Sequence, residues 1–573
     1  MAQGDGLQNH YPWVRIPPPP YLKQFQDVKV PANVQKSSDS SDSLQKFLLA
    51  FLFIALISIT IIIRIRFLST PLERDEGEYA YAGQLMLQGI PPYSLAYNMK
   101  MPGIYAAYAV ILAVFGQTQS AIHFGVLILN TATIVFLFLL AKRLFGPAAG
   151  VAAAVFFAIT SISSRIEATA NAENFVIFFA IPGILLLMKF TDSRKIINLI
   201  FGALLLGIAF LMKQHGAAFI LFGFFYLLYK HFQNKPVSWK KFSFVFLIYS
   251  FFTVLPFLIT CLILWYCGVF EKFWFWTFEY ARHYVGLTSI KQGFANFQTS
   301  LKMVVPFAFS IWLFAFAGLL SGIWNRQISK HSLFIIAFLF FSFLSVTPGL
   351  YFRPHYYVLF LPWLSVSAAA GIIAFQDLLP KFVKSDNKKK LIPVLLILTA
   401  WLQCFYSQRH YLKQSDPEII SRFNFGFLPF PETLKIAKYI KENSGKDDKI
   451  AVFGSEPQIY FYSQRRSATS FIYTYPLMEK QPYALEMQKE MIAQIEKNEP
   501  KFFVVIKTVD SWTPVPGSER YIFEWADNYI PANYQQVGLV EIFKDQQRTV
   551  YRWDSIAQPV QSENWLMIFE RKN

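Results

Sequence analysis

Charge is what this 573-residue sequence has little of: Asp, Glu, Lys and Arg make up 16% of it, against about 25% in soluble domains. That shortage excludes an ordinary soluble enzyme and a disordered chain. Cysteine is scarce as well. Cys261, Cys267 and Cys404 all sit in apolar runs, so there is no disulfide framework and no cysteine metal motif. No glycine-rich phosphate loop is present, which speaks against a nucleotide site. What remains is apolar: 54% of residues are hydrophobic, with 61 Phe, 29 Tyr and 13 Trp. This composition describes a polytopic helical membrane protein.

The net charge of +17 would suggest nucleic acid on a soluble protein. Its placement points elsewhere. From residue 407 onward 21 basic residues balance 21 acidic ones, so the whole excess lies among the apolar runs. Basic excess between spans is the positive-inside pattern, and no nucleic-acid partner is expected. Residues 1–45, with PPPP at 17–20 and SSDSSDS at 37–43, read as a disordered cytoplasmic tail. The run 46–68 has no cleavage site after a short apolar core and reads as a signal anchor. Ten more runs follow at 121–141, 147–162, 174–190, 196–212, 217–232, 242–267, 301–323, 332–347, 357–376 and 391–406.

Segment 103–116 is apolar but short for about 30 Å of hydrocarbon. If it stays on the outer interface, Lys142/Arg143, Arg194/Lys195, Lys230 to Lys241, Arg326/Lys330 and Lys381 to Lys390 share the side of the N-terminus. About eleven spans are therefore expected over 46–406. The outer face then carries loops 69–120, 163–173 and 268–300 and everything after 406. In 407–573, ETLKIAKYIKEN reads as an amphipathic helix, KIAVFG and KFFVVI as strands, and the end as β-rich. These define a soluble α/β domain outside the cytoplasm. It is balanced in charge and shows no catalytic cluster, so its expected role is to shape access of an acceptor.

The densest polar cluster is Glu73-Arg74-Asp75-Glu76-Gly77-Glu78, directly after the first span. Acidic residues in a first helical turn also serve as caps. The outer side further offers Lys100, Arg165 with Glu167 and Glu173, Lys213-Gln214-His215 at a break between spans, and Arg353-Pro354-His355-Tyr356. Any one of these charges can simply snorkel. Together, carboxylates and cations on one face suit a site that binds a phosphate and moves a proton.

At these residues the sequence resembles the C-type (GT-C) glycosyltransferase superfamily, and within it the protein O-mannosyltransferase and lipid A aminoarabinose transferase families. ERDEGEYAYAGQLML, KMPGIYAAY, ANAENFVIFF, AFLMKQHGAAF and FRPHYYVLFLPWL carry the resemblance, in order, over roughly residues 46–465. Lys-Met-Pro stands where Lys-Pro-Pro is commoner, and Glu173 where many members have Asp. The resemblance implies transfer of a sugar from a polyprenyl-phosphate-linked donor to a lipid, glycan or protein on the outer face of a bacterial inner membrane. Asp75, Glu76 and Glu173 take the catalytic positions. Lys100 takes the place beside the lipid phosphate, with Arg74, Arg165, Lys213 and Arg353 completing the basic set. His355, Tyr356 and His283 are expected in the pocket. A divalent metal, if used, would be held by Asp75, Glu173 and His355.

For the lipid tail, segment 103–116 and the aromatic loop 268–300, with Trp274, Phe275, Trp276 and Phe278, are the outer stretches apolar enough to form a groove. The same rings also suit plain anchoring at the membrane interface. Two other classes compete. A transporter would use ionisable residues within spans and broken helices such as Lys213–Gly216, but the spans carry almost no mid-depth carboxylates and no evident repeat. A scaffold would use the outer domain alone.

Overall fold

The computed structural model describes residues 32–167, 169–233, 236–378, 386–553 and 559–572. Among the described residues the first α-helices are α1 (Ala32–Arg66), α2 (Arg74–Leu87), α3 (Pro102–Phe115), α4 (Gln119–Phe145), α5 (Pro147–Thr160), α6 (Ala172–Ser193), α7 (Ile196–Met212), α8 (Ala217–Gln233) and α9 (Trp239–Tyr266). By length and apolar composition, Ser43–Arg66, Gln119–Phe145, Ala172–Ser193, Trp239–Tyr266 and Ile290–Ile323 are each sufficient to cross a membrane. Shorter apolar helices include Pro147–Thr160, Ile196–Met212, Ser332–Val346, Leu361–Gln376 and Leu391–Ser407. The chain is an integral membrane protein with a helical membrane domain. Helix α1 already runs from Ala32, within the segment 1–45 expected as a disordered tail; residues 1–31 lie outside the described residues, as does part of the basic cluster at 381–390.

The loops expected on the outer face are more ordered than their sequence suggests. Segment 69–120 folds into α2 and α3, packed against each other. Ile104, Tyr105, Tyr108, Ile111 and Leu112 of α3 are buried, while Val110, Val114 and Phe115 are exposed. One side of α3 thus meets protein and the other leaves apolar side chains uncovered. Gly103 lets α3 touch α7, since a Cβ there would lie 2.4 Å from the Leu211 carbonyl oxygen. The aromatic loop forms Phe270–Trp274, a π-helical turn at Phe275–Tyr280, and Ala281–Val285. Trp276, a candidate membrane anchor, is instead buried against Tyr97 (5.4 Å between ring centroids) and Phe471 (6.1 Å). Trp274 keeps an exposed ring.

The C-terminal domain is α/β. Its six-stranded sheet contains β1 (Lys449–Phe453), β2 (Arg466–Ser467), β3 (Phe502–Lys507), β4 (Tyr534–Phe543), β5 (Arg548–Trp553) and β6 (Asn564–Arg571), in the order β2-β1-β3-β6-β4-β5. β1 pairs parallel with β2 and β3; β3–β6, β6–β4 and β4–β5 are antiparallel. The continuous apolar runs of β1 and β3 suit strands covered on both faces, whereas β6 alternates buried and half-buried residues. The amphipathic helix is Phe430–Glu442, burying Phe430, Thr433, Ile436, Ala437 and Ile440 at helical spacing. The turn after β1, through Ser455 and Glu456, reaches the start of α2.

Candidate active site

Glu73 caps α2. Its carboxylate accepts from the amides of Asp75 and Glu76, both at 3.0 Å, and Glu76 Oε2 accepts from the Glu73 amide at 3.0 Å. This reciprocal capping box uses positions 73 and 76, which share one side of the first turn, and it turns Asp75 elsewhere. Glu76 is fully buried; Oε1 faces His123 Nε2 at 3.1 Å and accepts from the Ala170 amide. Glu76, expected in the catalytic set, is thus held in the cap and against His123 and is not among the residues that line the cavity. Arg74, expected at the donor phosphate, binds Glu456 Oε1 at 2.8 Å, the Ser455 carbonyl and the Tyr475 hydroxyl, so it fastens the C-terminal domain to α2 and is not among the residues that line the cavity.

Asp75 opens into a cavity of about 180 Å³ between the membrane loops and the C-terminal domain. Lys100 Nζ lies 2.8 Å from Asp75 Oδ2, and the Tyr473 hydroxyl donates to Asp75 Oδ1 at 2.9 Å. Burial opposes the charge on Asp75, but Lys100, His355 and Lys213 prevail and hold the carboxyl well below its usual range. Lys100 sits just before α3, which starts with Pro102 in its first turn, and its ammonium faces the Tyr79 ring at 5.5 Å. Gln214 Nε2 donates to the Met99 carbonyl at 2.8 Å, tying the Lys100 loop to the break between α7 and α8.

That break supplies Lys213, which pairs with buried Glu173 and lies 4.4 Å from the Tyr356 ring centroid. Burial, with help from nearby Lys100 and against Glu173, pushes the Lys213 ammonium below the usual lysine range. His215 meets the edge of Tyr356 at 4.8 Å; burial and then Lys213 push it down to about 3, so it is a neutral imidazole. Arg353 Nη2 donates to the Tyr284 hydroxyl at 3.2 Å, and His355 Nδ1 is 2.7 Å from Glu167 Oε2. Lys100, Lys213, Arg353, His355 and Tyr356 thus line the cavity with Asp75. Glu173 stands behind Lys213, outside the lining.

Two residues fall away. Arg165 and His283 are exposed and do not line the cavity; the His283 ring packs near Tyr483 at 5.7 Å. The proposed metal set is not assembled either. Asp75 is engaged by Lys100 and Tyr473, Glu173 by Lys213, and His355 by Glu167. No three His, Cys, Asp or Glu side chains converge among the described residues, so no step below runs through a metal.

The C-terminal domain brings Tyr473, Tyr475, Pro476 and Glu479 into the lining, where the sequence had suggested only a role in access. Burial raises the Glu479 carboxyl, which accepts from Tyr280. Glu78 is a further buried carboxylate, accepting from Asn98 Nδ2 at 2.7 Å and from Tyr105. Burial, opposed by Lys100 and aided by Asp75, pushes Glu78 up to about 8. Its place in the acidic cluster, one helical turn from Arg74, was a signal available in the sequence; nothing in FIYTYP announced Tyr473.

With this geometry, the membrane domain and C-terminal α/β domain have the fold of the C-type (GT-C) membrane glycosyltransferases. The likeness is to ArnT from Cupriavidus metallidurans bound to undecaprenyl phosphate (TM-score 0.53, 12% identity, covering 91% of this chain and 97% of that one). It extends to the oligosaccharyltransferase AglB from Archaeoglobus fulgidus, in complex with an inhibitory peptide and a dolichol-phosphate (TM-score 0.50, 13% identity, 89% and 75%). The family of dolichyl-phosphate-mannose-protein mannosyltransferases matches residues 99–265, and the Ccs4 C-terminal domain family matches residues 431–544. No curated protein matches the chain.

Proposed function

We propose that this protein is a membrane glycosyltransferase that moves a sugar from a polyprenyl-phosphate-linked donor to a hydroxyl group of a lipid, glycan or protein. One observation carries the reading: a cavity at the rim of the membrane domain holds a charged carboxylate, Asp75, together with Lys100, Lys213 and Arg353. Transfer makes a bond from the acceptor oxygen to the anomeric carbon and breaks the bond from that carbon to a phosphate oxygen. The hydroxyl loses a proton and the phosphate leaves with two negative charges. A carboxylate for the first event and fixed cations for the second are what the chemistry requires.

Lys100 links the two events. A donor phosphate competes with Asp75 for the ammonium, and as Lys100 turns toward the phosphate the carboxylate regains basicity. Held as low as it is here, Asp75 is a weak base; it orients the hydroxyl first and takes the proton late, once the new bond has made that proton acidic. Lys213, steadied by Glu173 and Tyr356, and Arg353 provide the remaining positive field for the phosphate.

The fold of structures that hold undecaprenyl phosphate and dolichol-phosphate supports a lipid-linked donor, and the mannosyltransferase family match makes mannose the first sugar to test. The one-sided basic clusters support an inner-membrane location with about eleven spans and an extracytoplasmic C-terminal domain. Reporter fusions at Lys390 and Gly454 should then read opposite compartments. The function is tested by mass analysis of glycolipids, surface glycans and glycoproteins from cells with and without the protein. A sugar lost without it, and restored by the wild type but not by Asp75→Asn, is the expected result; an unchanged profile refutes the assignment.

A further inference from the structure

We infer that the C-terminal domain contributes a positioning residue to the reacting centre: Tyr473, acting through Asp75. This inference rests on the proposed transfer reaction but names a residue and a domain that the reaction itself does not require. Residues 471–474 have no regular secondary structure and run along the cavity. Tyr473 and Tyr475 grip two consecutive residues of α2: Tyr475 bonds Arg74, while Tyr473 donates to Asp75 Oδ1 at 2.9 Å. The partners are 398 residues apart in the chain.

The contact is held from several directions. Tyr475 itself donates to the Asp510 carbonyl at 2.6 Å, and Thr474 is fixed to Ser455 and to the Ser511 carbonyl. Gly77 allows the approach, because a Cβ there would lie 2.7 Å from the Gln458 amide nitrogen. The Ser467 amide donates to Tyr81 at 2.7 Å, and the Leu72 amide to Tyr462 at 2.8 Å. Tyr473 is 5% exposed and burial, then Asp75, keep its hydroxyl firmly protonated. It is therefore a fixed neutral donor to a carboxylate.

Asp75 in the resting site has Lys100 on Oδ2 at 2.8 Å, with the Tyr79 hydroxyl at a longer 3.5 Å from the same oxygen, and Tyr473 on Oδ1 at 2.9 Å. When Lys100 turns to a phosphate, Tyr473 is the short hydrogen bond that keeps the carboxylate plane, and Tyr79 is left at the edge of hydrogen-bonding distance on Oδ2, where the acceptor hydroxyl can approach. A phenol can do this without supplying a charge that would compete with the phosphate for Lys100.

The test compares Tyr473→Phe and Tyr473→Ala with Asp75→Asn, all in the full-length protein. Each is scored for the mass-detected sugar product in cells, for binding of undecaprenyl phosphate in detergent, and for melting temperature. The expected result is that Tyr473→Phe lowers product formation by about ten- to a hundredfold, the range for one hydrogen bond to a charged group. Its lipid binding and melting should match the wild type, and Tyr473→Ala should be no worse in turnover. A ring that only packs gives the reverse, with Phe fully active and Ala impaired, and overturns the inference. If Asp75→Asn also retains activity, the transfer site itself is misassigned; if Asp75→Asn is inactive while Tyr473→Phe is normal, only the role of Tyr473 fails.

Discussion

The two walls of the cavity are made of different chemistry. The membrane wall is built from charge held by opposite charge: Asp75 with Lys100, Glu173 with Lys213, Glu167 with His355. Phenols line both walls, Tyr280, Tyr284 and Tyr356 on one and Tyr473 and Tyr475 on the other, but among the described residues the soluble wall brings no cation to the lining, only one carboxyl, Glu479, whose pKa burial raises. Under the proposed function, such a division would let the membrane loops supply the field for a phosphate while the C-terminal domain fixes directions. It also means that neither wall makes a site alone, since Arg74 and Asp75 on α2 each take a partner from the domain that follows about 380 residues later.

The sharpest break of that comparison is Asp75→Asn. Product formation should fall by at least about 10²-fold, with membrane insertion and melting temperature retained. Ending the chain at residue 410 should be equally severe for transfer, because it removes Tyr473, Tyr475 and Glu479 and strips buried Arg74 of Glu456. Measured by product mass, retained transfer in that shortened protein would show that the membrane wall is sufficient. Lys100→Ala comes next: about tenfold weaker binding of undecaprenyl phosphate, on the scale of one charge-assisted contact, read by titration in detergent.

Smaller effects sharpen the picture. Gly77→Ala forces a Cβ against the Gln458 backbone. Its overpacking cost of about 1–3 kcal/mol should appear as a lower melting temperature and easier proteolysis of the C-terminal domain, with full-length inserted protein still made. Glu78→Gln should change only a slope. The folded-state pKa of Glu78, near 8, lies above its ordinary value. The stability it contributes is thus complete at acid pH and lost as pH rises toward and through 8. Wild-type melting should decline over that window more steeply than in Glu78→Gln, measured by thermal unfolding at pH 5.5 and 8.5.

The acidic cluster after the first span shows how far residue types alone can lead. Capping and chemistry were competing readings of Glu73-Arg74-Asp75-Glu76, and the structure divides the four residues between them. Glu73 and Glu76 cap, Arg74 docks the outer domain, and Asp75 faces the cavity. A spacing of three places two carboxylates on one side of a turn, so both suit the box; which neighbour faces empty space depends on what packs around the helix. Arg165 and His283 carried the right charge and the wrong position, because their segments direct them to solvent.

By itself the sequence determined the membrane class, the apolar helices, the α/β character of the C-terminal domain and the gathering of carboxylates and cations that includes Asp75 and Lys100. These follow from local quantities: hydropathy over a window, periodicity, and the sign of charge along the chain. Only the tertiary structure decided that Trp276 packs on the outer domain, that three possible metal ligands are each taken by another partner, and that Tyr473 touches Asp75. Those are contacts between segments up to 398 residues apart, and a buried polar group finds its partner according to how the two domains close on each other, which no local pattern encodes.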